Sequence, residues 1–180
     1  MKVLITGGAG FIGSHLADRL LEKGHHVSCI DNFILGNKEN VEGALEKDNF
    51  QLIELDLFDL DELNKLFKAN HFEFVYHLAA NSDIQKGTKS TTTDLTQTFM
   101  TTYNILEAMR ENQVKNILFT SSSAVFGTYE GPIDEDIAMR PESLYGAGKA
   151  ASESYIRAFS NLYDINSWII RLANTVGGRL

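Results

Sequence analysis

Cysteine and proline are scarce in this chain of 180 residues. The one cysteine, Cys29, excludes an internal disulfide bond, and its place in an apolar run is typical of a buried structural thiol. A reducing compartment therefore fits the protein. Proline occurs twice, both times between residues 123 and 143, a segment that we predict to be mostly loop.

Positive charge and long apolar runs are also lacking. The chain has 16 Lys and Arg residues against 24 Asp and Glu residues, a formal net charge of -8. This excess argues against nucleic acid or an anionic membrane as the main partner. No run reaches the roughly 18 apolar residues of a spanning helix, and the apolar run at the N-terminus is too short for a signal peptide. We therefore expect a cytoplasmic protein.

Histidine shows no paired spacing. The five histidines stand at positions 15, 25, 26, 71 and 77, so we predict no metal site. What is present is an ordinary globular composition, with 43% hydrophobic and 22% charged residues. This length and composition suffice for one domain with a sizeable core.

Short apolar runs alternate with helical patterns along the chain, as they do in βαβ units. We predict strands at residues 3–6, 27–30, 50–55, 74–77, 116–120 and 167–171. We predict helices at residues 11–23, 59–70, 91–112 and 144–162, with a short helix between 31 and 49. The alternation predicts an α/β fold with a doubly wound parallel sheet and helices on both faces.

A glycine-rich loop follows the first predicted strand and opens the first helix. The stretch "ITGGAGFIGSHL" contains Gly8-x-Gly10-x-x-Gly13 and also Gly7-x-x-Gly10-x-x-Gly13. Glycines permit the tight turn, let the backbone approach a pyrophosphate and bring the helix close to the strand. The helix N-terminus adds free amides and a partial positive charge. The loop therefore predicts a Rossmann-like dinucleotide site.

Two acidic residues end the next predicted strands. Asp31 follows the glycine loop by about 20 residues, as the dinucleotide fingerprint requires. Its carboxylate can accept hydrogen bonds from both ribose hydroxyls of NAD and would repel a 2′-phosphate, and the nearest cation downstream is Lys38. We therefore favour NAD over NADP. Asp56 is placed either to accept a hydrogen bond from the adenine amino group or to cap the following helix.

Several stretches together carry a resemblance to a known family. They are "TGGAGFIGSHL", "DNF" with Gly36 and Asn40 after it, "DL" at 56–57, "VYHLAA" at 75–80, "NILEAM" at 104–109, "SSSAVFG" at 121–127, "YGAGK" at 145–149 and "RLANTVGGR" at 171–179. The chain resembles the extended short-chain dehydrogenase/reductases that act on nucleotide sugars, the NAD-dependent epimerases and dehydratases. The resemblance implies NAD as cofactor, a nucleotide sugar as substrate and a homodimer formed through helices 91–112 and 144–162.

The resemblance also implies which residues form the site. The catalytic serine of the family lies five residues before a glycine, which makes it Ser122 before Gly127, with Ser121 and Ser123 on either side. The catalytic tyrosine and lysine are Tyr145 and Lys149. The implied cofactor contacts are Gly7, Gly10, Phe11, Ile12, Gly13, Asp31, Asn32, Asp56, Leu57, Leu78, Ala79, Ala80, Tyr145 and Lys149. The implied substrate contacts are Ser122, Ser123, Tyr145 and Asn174.

Details within the motifs favour one branch of the family. In sugar 4,6-dehydratases the stretch that begins at the catalytic serine position resembles Thr-Asp-Glu. This chain has Ser122-Ser123-Ala124 there, without either acid. The chain is most similar to the UDP-glucose 4-epimerase branch, so a UDP-hexose is the implied substrate. It departs from the family at Thr98, Thr101 and Phe126, where asparagine, glycine and tyrosine are frequent. The departure at Thr98 implies a lost contact near the cofactor.

The predicted chemistry centres on Tyr145, whose free phenol would have a pKa near 10. Lys149 lies one helical turn away, and its cation, together with the nicotinamide cation, is expected to favour the phenolate. Lowering the pKa to about 7 requires roughly 4 kcal/mol. We expect Tyr145 to take the proton of a sugar 4-hydroxyl, Ser122 to hydrogen-bond the same oxygen and Lys149 to bind the nicotinamide ribose.

Members of the family are longer than this chain and carry a smaller C-terminal domain over the sugar nucleotide. We therefore expect residues 1–180 to be the NAD-binding Rossmann domain, truncated before the final strand and the substrate domain. Such a chain should bind NAD better than it turns over substrate, and should expose apolar surface. The alternatives are another NAD-dependent nucleotide-sugar dehydrogenase, reductase or epimerase, or a non-catalytic NAD-binding module.

Overall fold

Six parallel strands form one sheet in the order β3-β2-β1-β4-β5-β6. The computed structural model describes residues 1–179. The strands are β1 Lys2–Thr6, β2 His26–Asp31, β3 Phe50–Glu54, β4 Phe74–His77, β5 Asn116–Ser122 and β6 Asn166–Leu172. The order reverses between β1 and β4, and such a switch leaves a crevice at the carboxyl ends of the strands. The predicted doubly wound α/β fold is confirmed.

Helices cover both faces of the sheet. They are α1 Phe11–Glu22, α2 Glu42–Leu45 after a 3₁₀ turn at Lys38–Val41, α3 Leu60–Asn70, α4 Ile84–Lys89, α5 Thr91–Asp94, α6 Thr101–Glu111 and α7 Leu144–Tyr163. Successive residues of β1 point to opposite faces. Val3 and Ile5 pack with α1 and α2, whereas Leu4 joins the larger core under α3, α6 and α7. Because both faces of the central strands are buried, the sequences of these strands are continuous apolar runs.

One part of the sheet is only half covered. Tyr76, Leu118 and Trp168 lie in register across β4, β5 and β6, on the face that carries α1 and α2. Phe74 stacks on Trp168 with ring centroids 5.6 Å apart, and Trp168 is 49% exposed. Ile170 is also exposed. We call these five residues the apolar sheet face.

The predicted helix 91–112 is helical throughout but irregular. A π-helical segment, Leu95–Met100, joins α5 to α6. Thr96, Thr101 and Thr102 donate their hydroxyl protons to carbonyls three or four residues earlier in this helix. Such back-bonding loosens a helix, which gives the threonine-rich stretch a physical reason for its irregular geometry.

Two short elements were not among the predicted ones. α4 occupies Ile84–Lys89, capped by the Asp83 carboxylate, which accepts from the amide of Lys86. A 3₁₀ turn, Ser123–Phe126, follows β5 directly. None of the helices in residues 1–179 combines the length and apolarity needed to span a bilayer. Over the same residues, His, Cys, Asp and Glu side chains form no group of three or more that could hold a metal ion.

Candidate active site

A cleft of about 800 Å³ opens along the carboxyl edge of the sheet. Residues at the carboxyl end of β5 and in the loops that follow the other five strands contribute to its walls, as expected at a switch in strand order. All the cofactor-binding residues predicted from the sequence line it, as do Ser122, Tyr145, Lys149 and Asn174. Ser123 does not line it, because the turn after β5 leaves that residue exposed to solvent on another side.

Some glycines of the loop line the cleft, whereas another packs against the core. Gly7 has a φ of +67°, a conformation that favours glycine, and it lines the cleft with Gly10 and Gly13. A side chain at Gly13 would overlap the carbonyl oxygen of Gly7. Gly8 instead packs against buried Cys29, whose thiol pKa is raised by burial. The pattern Gly7-x-x-Gly10-x-x-Gly13 is therefore the one that faces the cleft.

Helix α1 begins at this loop without a side-chain cap. Its N-cap is Gly10, and its first turn carries no acidic residue. The first amides of a helix have no partner within the helix, so those of Phe11, Ile12 and Gly13 are available at the cleft wall. Together with the helix dipole they suit a phosphate group.

Asp31 ends β2 with its carboxylate held by backbone amides. Ala9 donates to Oδ2 at 3.0 Å and Phe33 donates to Oδ1 at 2.9 Å. Burial raises the pKa of Asp31, and these hydrogen bonds oppose the rise. Gly36 makes room for the carboxylate, because a Cβ there would lie 2.6 Å from Oδ1. The remaining lone pairs of the two oxygens can accept from vicinal hydroxyls.

The structure distinguishes between the two predicted roles of Asp56, a cofactor contact and a helix cap. Helix α3 is capped by Asp59, whose side chain accepts from the amide of Glu62. Asp56 stays at the cleft, where it accepts from the side-chain amide of Asn32 at 3.3 Å and from the amide of Phe58 at 2.9 Å. The helix-capping alternative for Asp56 is therefore wrong.

Ser122, Tyr145 and Lys149 meet at the opposite end of the cleft. Ser122 ends β5, and Tyr145 and Lys149 lie one turn apart in α7. The Lys149 ammonium donates to the carbonyl of Thr120 at 2.6 Å, and its Nζ lies 5.9 Å from the centroid of the Tyr145 ring. Ser143 caps α7 by accepting from the amide of Gly146, which fixes the helix start beside the site.

The protonation of this trio differs from the sequence expectation. Burial raises the pKa of Tyr145, Ser122 opposes the rise by hydrogen bonding, and the charge of Asp94 adds to it. Burial also lowers the pKa of Lys149 to about 7, although the charge of Glu153 opposes this. In the protein alone Tyr145 is therefore a neutral phenol. The expectation of a phenolate requires the cofactor cation in addition to Lys149.

Comparison with known proteins identifies the family. The sequence pattern of the NAD dependent epimerase/dehydratase family matches residues 3–179. The chain belongs to this family.

One relative compared by sequence and two solved structures illustrate the match. The chain is 38% identical, over 99% of its length, to a UDP-glucose 4-epimerase of Mycolicibacterium smegmatis and covers 58% of that protein. It superposes on a Thermotoga maritima UDP-glucose 4-epimerase solved with UDP-glucose, with a TM-score of 0.92 at 30% identity, covering 99% of this chain and 57% of that one. It also superposes on a Bacillus cereus UDP-glucuronic acid 4-epimerase in complex with NAD, with a TM-score of 0.87 at 33% identity, covering 100% of this chain and 59% of that one. The chain thus spans less than two thirds of the length of these relatives.

The three residues that depart from the family pattern, Thr98, Thr101 and Phe126, lie in different environments. Thr98 lies behind the cleft wall, where its hydroxyl donates to Asp94 Oδ1 and accepts from the amide of Asn81. Thr101 lines the cleft. Phe126 is buried with the Arg171 guanidinium 4.9 Å from its ring centroid. None of these substitutions removes a charge from the site.

Sequence reasoning missed one wall of the cleft. Thr92, Thr93, Thr96, Gln97 and Thr101 of the irregular helix line it. The density of threonine was the available signal, because polar β-branched residues are poor helix formers and suit a polar surface. Lys86 and Arg179 bring cationic side chains to the same cleft.

Proposed function

We propose that this chain is the NAD-binding, catalytic-residue-bearing part of an NAD-dependent nucleotide-sugar 4-epimerase, UDP-glucose/UDP-galactose 4-epimerase-like. The observation that carries the proposal is one cleft that holds the glycine loop and Asp31 at one end and Ser122, Tyr145 and Lys149 at the other. Because the chain spans 58% of a relative's length, the remainder of a sugar site would lie outside residues 1–180.

The cleft fits a dinucleotide on features of this chain alone. The absence of side chains at Gly7, Gly10 and Gly13 and the uncapped start of α1 suit the pyrophosphate, and Asp31 suits ribose hydroxyls. NAD rather than NADP is favoured because the Asp31 carboxylate would repel a 2′-phosphate, and because Lys38, the nearest cation downstream in the sequence, pairs with Glu54 at 3.0 Å. Bound NAD would supply a hydride acceptor that returns the hydride, so that the sugar changes configuration without net oxidation.

The chain's own residues supply proton transfer and orientation. As its phenolate, the form that a bound nicotinamide cation would favour, Tyr145 accepts the proton of the sugar 4-hydroxyl and later returns it, acting as base and then as acid. Ser122 hydrogen-bonds the same oxygen and holds it within reach of the phenol. The ammonium of Lys149 has donors left after its bond to Thr120, and these suit the hydroxyls of a ribose. Asn174 lines the cleft where the phosphates of a nucleotide sugar would lie.

A homodimer through helices α5–α6 and α7 is part of the proposal. Phe99, Tyr103 and Tyr155 form an edge-to-face aromatic cluster between these helices. Leu95, Tyr155 and Leu162 are exposed there. Apolar groups of this size at a helix surface are typical of an interface. We also infer that the protein acts in the cytoplasm, which fits the free thiol of Cys29.

The test combines cofactor binding with turnover. Calorimetry should detect NAD⁺ binding to the chain and much weaker binding of NADP⁺. Incubation of the full-length protein with a panel of UDP-, GDP- and dTDP-hexoses should then convert one hexose to its 4-epimer without accumulating NADH. Accumulation of NADH would indicate a dehydrogenase instead, and binding without any turnover would favour the non-catalytic module.

Tyr145→Phe is the decisive variant. In the full-length protein it should bind NAD⁺ within about threefold of the unmodified protein but lose turnover by at least about a hundredfold, because the acid–base group is gone. Tyr129→Phe is the matched control, since Tyr129 is exposed in the loop after β5 and does not line the cleft. Undiminished turnover in Tyr145→Phe would refute the assignment of the base.

A further inference from the structure

A buried ion pair lies behind the catalytic end of the cleft. Glu153 of α7 is fully buried, and its carboxylate accepts from Arg171 Nε at 3.0 Å and Nη2 at 2.8 Å. The Ser121 hydroxyl donates to the same carboxylate at 2.6 Å. A doubly hydrogen-bonded guanidinium–carboxylate pair of this kind has a fixed geometry. The chemistry described above makes no use of it.

The position of this carboxylate connects it to β5, β6 and α7 at the catalytic end of the cleft. Ser121 precedes Ser122 at the end of β5, and Arg171 precedes the cleft-lining Leu172 on β6. Within α7, Glu153 follows Lys149 by four residues, which places both side chains on one face of the helix. Both are buried on that face.

Lys149 has few groups that could stabilise its charge. Besides the carbonyl of Thr120, its Nζ lies 4.6 Å from the centroid of the Phe119 ring. His77 faces it from β4, and burial, with a contribution from the charge of Lys149, lowers the pKa of His77 to about 3, so His77 is neutral. Tyr145 of α7 is a neutral phenol, for the reasons given above.

The carboxylates near this group act on different partners. The charge of Asp94, on α5, acts on Tyr145. The charge of Glu153 acts on Lys149 and favours its ammonium form against the effect of burial. Although burial opposes the ionisation of Glu153, hydrogen bonds from Arg171 and Ser121 and the charges of Arg171 and Arg157 lower its pKa overall. Glu153 is therefore a carboxylate at neutral pH.

We propose that Glu153 is a positioning residue of the cleft whose carboxylate, held by Arg171 and Ser121, favours the ammonium form of Lys149. The inference deepens the proposed function, on which its catalytic meaning rests. A protonated Lys149 has three donors, of which one is used by Thr120. The other two are what a ribose diol requires. Without the Glu153 charge, a smaller fraction of this buried lysine would carry its proton at neutral pH.

The experiment measures the protonation of Lys149 directly. The chain is labelled with ¹³C at lysine Cε, its ¹H–¹³C spectrum is followed from pH 5 to pH 10, and the Lys149 signal is assigned by its loss in Lys149→Met. Glu153→Gln keeps the size and the acceptor of the side chain but removes the charge. We expect it to lower the midpoint of the Lys149 titration by about one pH unit, a tenfold change in acid dissociation.

Two further variants control for folding and for charge in general. Glu153→Gln leaves Arg171 unpaired, so the double variant Glu153→Gln/Arg171→Met, which removes both buried charges, should fold where the single variant does not. Its Lys149 midpoint should also be lowered. Glu107→Gln is the matched control, because Glu107 pairs with Arg110 on α6 and does not act on Lys149. Its midpoint should equal that of the unmodified chain.

An unchanged Lys149 midpoint in the folded Glu153 variants would overturn the inference. The measurement uses neither NAD⁺ nor sugar, so it is independent of the proposed function. If the midpoint shifts but the unmodified chain binds no NAD⁺, the proposed function fails while the role of Glu153 in setting the charge of Lys149 stands. If NAD⁺ binds and the midpoint is unchanged, only the inference about Glu153 fails.

Discussion

His77 is a histidine that the fold holds in one neutral form. The hydroxyl of Thr6 accepts from the amides of Leu78 and Ala79, so its own proton goes to His77 Nδ1 at 2.7 Å. The hydroxyl of Thr102 donates to the carbonyl of Thr98, so His77 Nε2 must be the donor in its 3.0 Å contact with Thr102. The proton therefore sits on Nε2. Through Thr6, the ring helps to hold Leu78 and Ala79 at the cleft.

This arrangement predicts an acid-sensitive fold. The pKa of His77 is about 3 in the folded protein and about 6.5 in the unfolded chain, so the unfolded chain takes up the proton first as the pH falls. Stability is thus lost between about pH 6.5 and pH 3, by roughly 4 kcal/mol. Urea unfolding should show that His77→Gln lacks most of this dependence, whereas exposed His26→Gln retains it. Equal pH dependence in His77→Gln and the unmodified chain would contradict the assignment.

Single residues differ in how far the sequence could predict them. Gly7, Gly13 and Asp31 could be assigned to the dinucleotide site because their work depends on backbone conformation and on spacing along one βαβ unit. The state of Lys149 could not be predicted. It depends on burial and on Glu153, whose charge is fixed by Ser121 and Arg171 from two other strands. Such long-range contacts leave no pattern in the sequence around Lys149.

At the scale of an element, the start of α1 depends on its approach to the strand before it. Gly13 lies against Gly7 and Gly8, where no Cβ fits. We expect Gly13→Ala to move α1 away from the loop, to weaken NAD⁺ binding by at least about tenfold and to lower stability by roughly 1–3 kcal/mol. Calorimetric titration and urea unfolding measure the two effects.

Gly43→Ala is the matched control for this change. Gly43 lies in α2, and a Cβ there would meet nothing within 4 Å. Replacing a helical glycine by alanine at an open position should leave NAD⁺ binding unchanged and raise stability by up to about 1 kcal/mol. The same NAD⁺ affinity in Gly13→Ala and Gly43→Ala would refute the packing argument.

Elements were predictable where one periodic pattern dominated. The strands are short apolar runs and helices α1, α3 and α7 have regular apolar repeats, and their observed bounds differ from the predicted ones by at most two residues. The break of helix 91–112 into α5, a π-helical segment and α6 could not be predicted, because it depends on threonine hydroxyls bonding to the backbone. Short α4 lacks an apolar repeat altogether.

At the scale of the whole molecule, the apolar sheet face reaches the β6 edge of the sheet that residues 1–179 form. β6 is the last strand of the sheet, and Trp168 and Ile170 are about half exposed on it. Exposed apolar residues on an edge strand favour association between copies. We expect Ile170→Thr to reduce self-association at high concentration, measured by light scattering, with a stability loss below about 1 kcal/mol.

Leu45→Thr tests whether this effect belongs to the face. Leu45 is exposed to a similar extent but lies at the end of α2. It should leave self-association as it is in the unmodified chain. If Leu45→Thr and Ile170→Thr reduce scattering equally, general surface hydrophobicity rather than the apolar sheet face drives the association.

The stacking of Trp168 on Phe74 has an optical consequence. Trp168 is the single tryptophan of the chain, so emission excited at its absorption edge comes from one side of the sheet alone. The glycine loop and Tyr145 lie at the carboxyl edge of the sheet, apart from this indole. Intrinsic fluorescence is therefore a built-in reporter of whatever covers β6, and quenching by acrylamide measures that coverage without a label.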